Sequence, residues 1–287
     1  MATKVIPGTS TDAAKFVSSR FSDLCRLSVL PLVAATTLNI AAIFVELQKV
    51  QSATVTAQTG YGFIDAVGQL LSITTFVIGA WWFVRQVILR SGAGVPTFGF
   101  AAGELKNTVF VSLYGVGMAA LLLAPVFALD YLALGRDTDS TAFLKHPASF
   151  IPAFVYSFLI LPWVGFRFLA ALPGVATGWR PNFIKDIWKL SDGESWALPA
   201  RFFAWGILAA LFVALLYGLL GGFNYMGSIL KSNAVNDPAV MREIQLGALN
   251  WSLLITPLVA VVLAPITWFF TGLLNEAFLR FQRRANL

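Results

Sequence analysis

Charge, cysteine and histidine are all scarce in this chain of 287 residues, which carries 20 Lys and Arg, 14 Asp and Glu, one cysteine and one histidine. Charged residues make up 12% of it, about half the share usual in soluble domains. A soluble fold of this length would need more polar surface than those residues supply, which argues against the soluble enzyme classes. Cys25 is alone, so an intramolecular disulfide framework and any Cys-clustered zinc or iron–sulfur site are excluded. His146 is alone too, and it precedes Pro147 in a polar connector, where it reads as a solvated side chain. Hydrolases built on serine, cysteine or zinc nearly all place a histidine beside the nucleophile or metal. Phosphate-loop, zinc-protease and dinucleotide signatures are also missing. The expectation is a protein that is not an enzyme, with no catalytic residue, cofactor or metal.

What the chain has in abundance is apolar length. Hydrophobic residues reach 57% and the mean hydropathy is +0.75, the composition of an integral membrane protein. Spanning a hydrocarbon core of about 30 Å takes roughly 20 apolar residues in a helix. Six stretches have that length, at 27–45, 66–84, 108–129, 149–170, 202–229 and 246–274. The predicted fold is therefore all-α, a polytopic bundle of six transmembrane helices. Residues 1–26 form an amphipathic N-terminal segment before it and residues 275–287 a basic tail after it.

The basic residues orient the bundle. Alternate segments, namely the N-terminal region, the connectors after spans two and four, and the tail, hold 15 of the 20 Lys and Arg when the interfacial Arg167 is counted with the connector it opens. By the positive-inside rule both termini are cytoplasmic. This distribution accounts for the net charge of +6 through contact with anionic headgroups, without nucleic acid as a partner. Ala13, Phe16, Val17, Phe21 and Leu24 recur at helical spacing, which predicts a short interfacial helix on the cytoplasmic leaflet. Cys25 at its membrane end reads as a reduced thiol.

The two longer cytoplasmic connectors resemble each other. Each begins with aromatic residues and an interfacial arginine, Arg85 or Arg167, continues through a Gly/Pro break and a phenylalanine, and leads into the next span, the pattern of a parallel repeat. In the second, Phe183, Ile187 and Trp188 share one face against Lys185, Asp186 and Lys189, which predicts a further interfacial helix. The segments 84–107 and 183–203, with Arg85, the Phe98–Gly99 pair, Glu104–Leu105, and the set Trp188, Ser191, Gly193 and Trp196, carry a resemblance to a known group. They look like recurring segments of an uncharacterised group of polytopic bacterial membrane proteins, similar to the membrane domain attached to some glycerophosphodiester phosphodiesterases. The resemblance implies a six-helix module in the bacterial inner membrane without catalytic activity, because the phosphodiesterase chemistry belongs to a separate soluble domain.

Inside the spans few groups stand out. If the fourth span extends toward Ala176, Arg167 is buried and needs a partner, and Glu104 of the matching connector is the candidate for a buried ion pair. Gln69, Ser72 and Thr75 lie at i, i+3 and i+6, a polar stripe on one face of span two. Gly218 and Gly222 form a small-xxx-small pair in span five, a surface for close helix packing or for a partner chain. The leading expectation is a scaffold or accessory subunit that binds another membrane protein, a second copy of itself, or membrane lipid. The alternative is a small transporter or lipid-handling protein whose cavity forms between the Pro-kinked spans one, four and six, and a cavity lined by Gln69, Thr75 and Asn250 would favour it.

Overall fold

A computed structural model describes residues 9–52, 61–134, 151–180, 185–190, 197–218 and 238–285, and every regular element among them is helical. In chain order they are α1 (Thr9–Ser19), α2 (Phe21–Ser52), α3 (Tyr61–Arg90), α4 (Glu104–Leu134), α5 (Ile151–Val155), a π-helical turn (Tyr156–Ile160), α6 (Leu161–Ala176), α7 (Lys185–Leu190), α8 (Ala197–Tyr217) and α9 (Pro238–Ala285). Four stretches are long and apolar enough to cross a membrane: Phe21–Gln51, Ala66–Arg90, Glu104–Val126 and Arg242–Gln282. Trp163–Ala176 and Ala200–Leu215 are shorter apolar helices. Helices suit such sequences because they satisfy every backbone group internally where no water is present.

The helices outrun the apolar windows read from the sequence. At about 1.5 Å per residue, the 48 residues of α9 extend about 72 Å, more than twice a hydrocarbon core. The segment read as a basic tail is helical to Ala285, because Asn275–Phe278 and Phe281 are buried against neighbouring elements. The fourth apolar stretch is broken in register rather than continuous. Pro162 has no N–H to offer the preceding turn, and before it the ladder widens, so that Leu161 N–H donates to Tyr156 O, five residues back. The Tyr156 hydroxyl then donates to Leu122 O in α4 at 3.1 Å.

Burial is concentrated at one end of the bundle, where α1, the starts of α2 and α4, and the ends of α3, α6 and α9 meet. Ser28, enclosed in α2, accepts a hydrogen bond from Trp82 Nε1 of α3 at 2.8 Å and another from Trp268 Nε1 of α9 at 2.9 Å. One hydroxyl thus fastens three helices. The Tyr114 hydroxyl donates to Phe168 O at 3.0 Å and joins α4 to α6. Two ion pairs add to this end, Arg90 with Glu276, and Arg280 with Asp12 at 2.7 Å.

The amphipathic helix α1 uses its apolar face against protein. Ala13 and Phe16 are buried, as is Leu24 in the first turn of α2, Ala13 lies against Gly272 of α9, and the Arg90 guanidinium sits 4.6 Å from the Phe16 ring centroid. The residues expected to float on a leaflet are instead part of the core, apart from the exposed Phe21. Helix α6 closes in the same region. Gly178 takes a left-handed φ of +101°, Gly178 N–H donates to Val175 O and Trp179 N–H to Gly174 O, the double bond of a Schellman cap.

Candidate functional site

At the other end the helices leave space. A cavity of about 1060 Å³ lies between α2, α3 and α9, the size of a small-molecule or lipid-chain site. Its walls are Ile43, Ile73, Ile255, Val259 and Leu263, with Ala42, Gly68 and Ala260 as small residues that leave the volume open. Asn39, Gln69, Ser72, Ser252 and Thr256 supply polar groups, and Lys49 and Glu46, paired at 2.7 Å, stand at the same border. The Lys49 ammonium lies over α3 beside Gly68, where a Cβ would stand 3.9 Å from Nζ.

The polar groups divide by their own bonding. Ser72 donates to Gly68 O at 3.0 Å, Ser252 to Ala248 O at 2.8 Å and Thr256 to Ser252 O at 2.7 Å, each one turn back along its own helix. Their protons are used, so they present acceptor lone pairs. The carboxamides of Asn39 and Gln69 make no hydrogen bond to any described residue, and each retains both donor and acceptor capacity.

Of the polar stripe read from span two, Gln69 and Ser72 border the cavity. Thr75 does not, and its hydroxyl donates to Leu71 O at 2.9 Å within α3. Asn250 is exposed on α9 outside the lining. The cavity also lies between the first, second and last long helices, so the reading that formed it from spans one, four and six is corrected. Pro31, Pro257 and Pro265 are inside α2 and α9, while the third wall, α3, has no proline. Asn39 was visible in the sequence as a polar residue within a span. Ser252 and Thr256 were missed, although their i, i+4 spacing was the available signal.

Beneath the closed end lies a second polar arrangement. Arg85 and Glu104 are both 0% exposed, with Arg85 Nε 3.4 Å from Glu104 Oε1. Arg85 Nη2 donates to Pro96 O, Trp81 Nε1 donates to Glu104 Oε1, and Ala101 N–H donates to Glu104 Oε2 at 2.6 Å. The last contact is half of a capping box, in which a carboxylate in the first turn reaches back to satisfy an orphan N–H. The Arg85 guanidinium also lies 5.0 Å from the Trp81 ring centroid.

The ion pair expected between Glu104 and Arg167 is replaced. Glu104 engages Arg85 of the helix immediately before it, because the 91–103 connector folds back and brings the first turn of α4 to the last turns of α3. Arg167, 5% exposed, lies 4.6 Å from the Trp163 ring centroid and 4.2 Å from that of Trp188. The two connectors share one local feature: Trp81–Arg85 and Trp163–Arg167 are each one turn apart, with a guanidinium over an indole in both.

Of the expected interfacial helix, Ile187 is fully buried, while Trp188 is 41% exposed and packs edge-on against Trp163. Phe183 lies outside the described residues. Gly222 does so as well, so the Gly218–Gly222 pair is not described as a unit, and His146 is likewise outside. Cys25 is a free, partly buried thiol. No group of three His, Cys, Asp or Glu that could hold a metal occurs among the described residues. No family model, curated protein or solved structure matches the chain.

Proposed function

We propose that this chain is a non-catalytic module of the bacterial inner membrane, crossing it six times with both termini in the cytoplasm, that holds a membrane lipid in the crevice between α2, α3 and α9. The observation carrying the reading is the make-up of that crevice: aliphatic walls suited to an acyl chain, with the free carboxamides of Asn39 and Gln69 among them. A carboxamide donor suits the ester carbonyls of a lipid, and the Lys49–Glu46 pair at the border suits its polar head. From Leu249 to Leu263 the α9 wall runs about 21 Å at helical rise, long enough for an acyl chain to lie along it.

The test is native mass spectrometry of the full chain released from a mild detergent. Wild-type protein is expected to carry a lipid-sized adduct, and Ser72→Phe, which fills the crevice, to lose it while remaining folded. An adduct of equal abundance in both proteins sinks the lipid reading.

Association with another membrane protein is the second reading. It draws on α8, where Phe203, Ile207, Leu208, Leu211, Phe212 and Leu215 are all exposed. A complex that keeps its stoichiometry after lipid is stripped away would favour it over the first.

A further inference from the structure

At the opposite end of α2 from the crevice, a smaller pocket of about 240 Å³ lies between the elbow joining α1 to α2 and the loop that follows α3. Its border carries two arginines, Arg20 and Arg26, and one carboxylate, Asp23. Arg20 is paired with Asp23 at 3.2 Å. Arg26 has no ion pair or hydrogen bond among the described residues, which leaves a net positive charge at the rim. The opposite border is formed by Gly92, Ala93, Gly94 and Val95. Gly92 N–H donates to Leu89 O, closing α3, whereas the N–H groups of Ala93, Gly94 and Val95 donate to no described residue.

The loop is held in place from behind. Gly92 adopts a left-handed φ of +87°, and the buried Arg85 donates to Pro96 O, so the segment between them is anchored at both ends. Backbone donors without a partner among the described residues, on an anchored loop across the pocket from an arginine without an ion pair there, supply the groups that an anion site needs. The pocket also lies at the end of two helices of membrane-spanning length, the level at which headgroups stand if those helices span.

We infer that this pocket binds the phosphate of an anionic phospholipid headgroup, with Arg26 as its principal cation and the Ala93–Val95 backbone as its cradle. The inference uses none of the crevice residues and rests on the membrane-spanning reading only for the source of the phosphate. Occupation would brace the α1–α2 elbow against the loop after α3.

The test follows the thermal unfolding midpoint of the full chain in a neutral detergent during titration with phosphatidylglycerol, phosphatidylcholine of the same acyl chains, or inorganic phosphate. A ligand that binds only the folded state raises the midpoint. Both lipids can enter the crevice by their acyl chains, so the readout is the difference between them: phosphatidylglycerol is expected to raise the midpoint further, and at lower concentration, than phosphatidylcholine. Arg26→Gln should shift the half-saturating phosphatidylglycerol concentration upward about fivefold, the scale of one basic residue near an anionic surface. Arg26→Lys should keep much of the difference between the two lipids, and Ser72→Phe, which fills the crevice, should lower both responses alike and leave that difference in place. A response to inorganic phosphate equal to that for phosphatidylglycerol upholds the anion site and assigns it to soluble phosphate groups. Equal responses to the two lipids, or an Arg26→Gln titration that overlays the wild type, overturn the proposal.

Discussion

Ser28 and Asn39 stand on the same helix about 16 Å apart at helical rise, and their surroundings are opposite. Ser28 is enclosed by two indoles that both donate to it, whereas Asn39 faces the open crevice with its carboxamide unengaged. The same three helices, α2, α3 and α9, form both environments. Between helices in a membrane, shape and hydrogen bonding decide association, because lipid tails solvate apolar side chains as well as protein does. At the closed end large rings, Trp82, Trp268, Phe278 and Phe281, fill the gaps and a few polar contacts fix their register. At the open end Ala42, Gly68 and Ala260 are too small to fill the space between the helices. The difference separates a fastening from a receptacle.

The comparison breaks most visibly if the fastening is cut. Glu104→Ala leaves Arg85 buried without its carboxylate and orphans the donors Trp81 Nε1 and Ala101 N–H. Removing one partner of a buried pair costs about 3–5 kcal/mol, so the thermal midpoint in detergent should fall sharply. The double variant Arg85→Met, Glu104→Leu should recover a substantial part of the loss, and a cycle with no coupling between the two sites would contradict the pairing.

Ser28→Ala ranks next. It removes the acceptor of two buried indole N–H groups, and an unsatisfied buried donor costs about 1–3 kcal/mol. Denaturation followed by tryptophan fluorescence should show a lower midpoint together with altered emission from Trp82 and Trp268. Emission and midpoint both unchanged would mean that Ser28 does not fasten the three helices.

Two glycines sharpen the contrast between the ends. A Cβ at Gly174 would overlap the Phe278 ring and stand 2.7 Å from that of Trp179. These rings also pack against each other, with centroids 5.7 Å apart, so neither has room to yield. Gly174→Ala should therefore destabilise by about 1–3 kcal/mol. At Gly68 the nearest atoms to a Cβ are 3.9 Å away, and Gly68→Ala should fall between neutral and a gain of about 1 kcal/mol from the helix propensity of alanine. Equal losses at both positions in a thermal-shift assay would show that the two ends are packed alike.

The all-helical class and the four longest apolar helices were legible because long apolar runs can bury their backbone only as helices. The sequence also pointed to Gln69 and Ser72, since residues three apart share a helix face. What escaped it depended on the other chain segments that came to meet those faces. Nothing in span two alone indicates that α9 brings Ser252 and Thr256 opposite, while α4 and α6 lie elsewhere. Arg85 illustrates the same difficulty at short range. Symmetry between the connectors pointed Glu104 toward Arg167, but Glu104 is only 19 positions beyond Arg85, and the intervening loop turns back at Gly92, Gly99 and Gly103, all with positive φ. The ends of α1 and α9 were misjudged for another reason. Their amphipathic faces look alike whether they meet lipid or protein, and only the fold shows Ala13 against Gly272.

The claim that the open end is a receptacle for lipid, rather than merely a surface wetted by it, is tested most directly by photocrosslinking. The full chain would be reconstituted in bilayers containing a phospholipid with a photoreactive group in its acyl chain, irradiated, and mapped by peptide mass spectrometry. The account predicts that adducts concentrate on residues 39–46, 68–73 and 252–263, the three walls of the crevice, well above those on the exposed face of α8 at 203–215. Ser72→Phe should bring the walls down to the level of α8. Labelling spread evenly over α8 and the crevice walls in the wild type would contradict it.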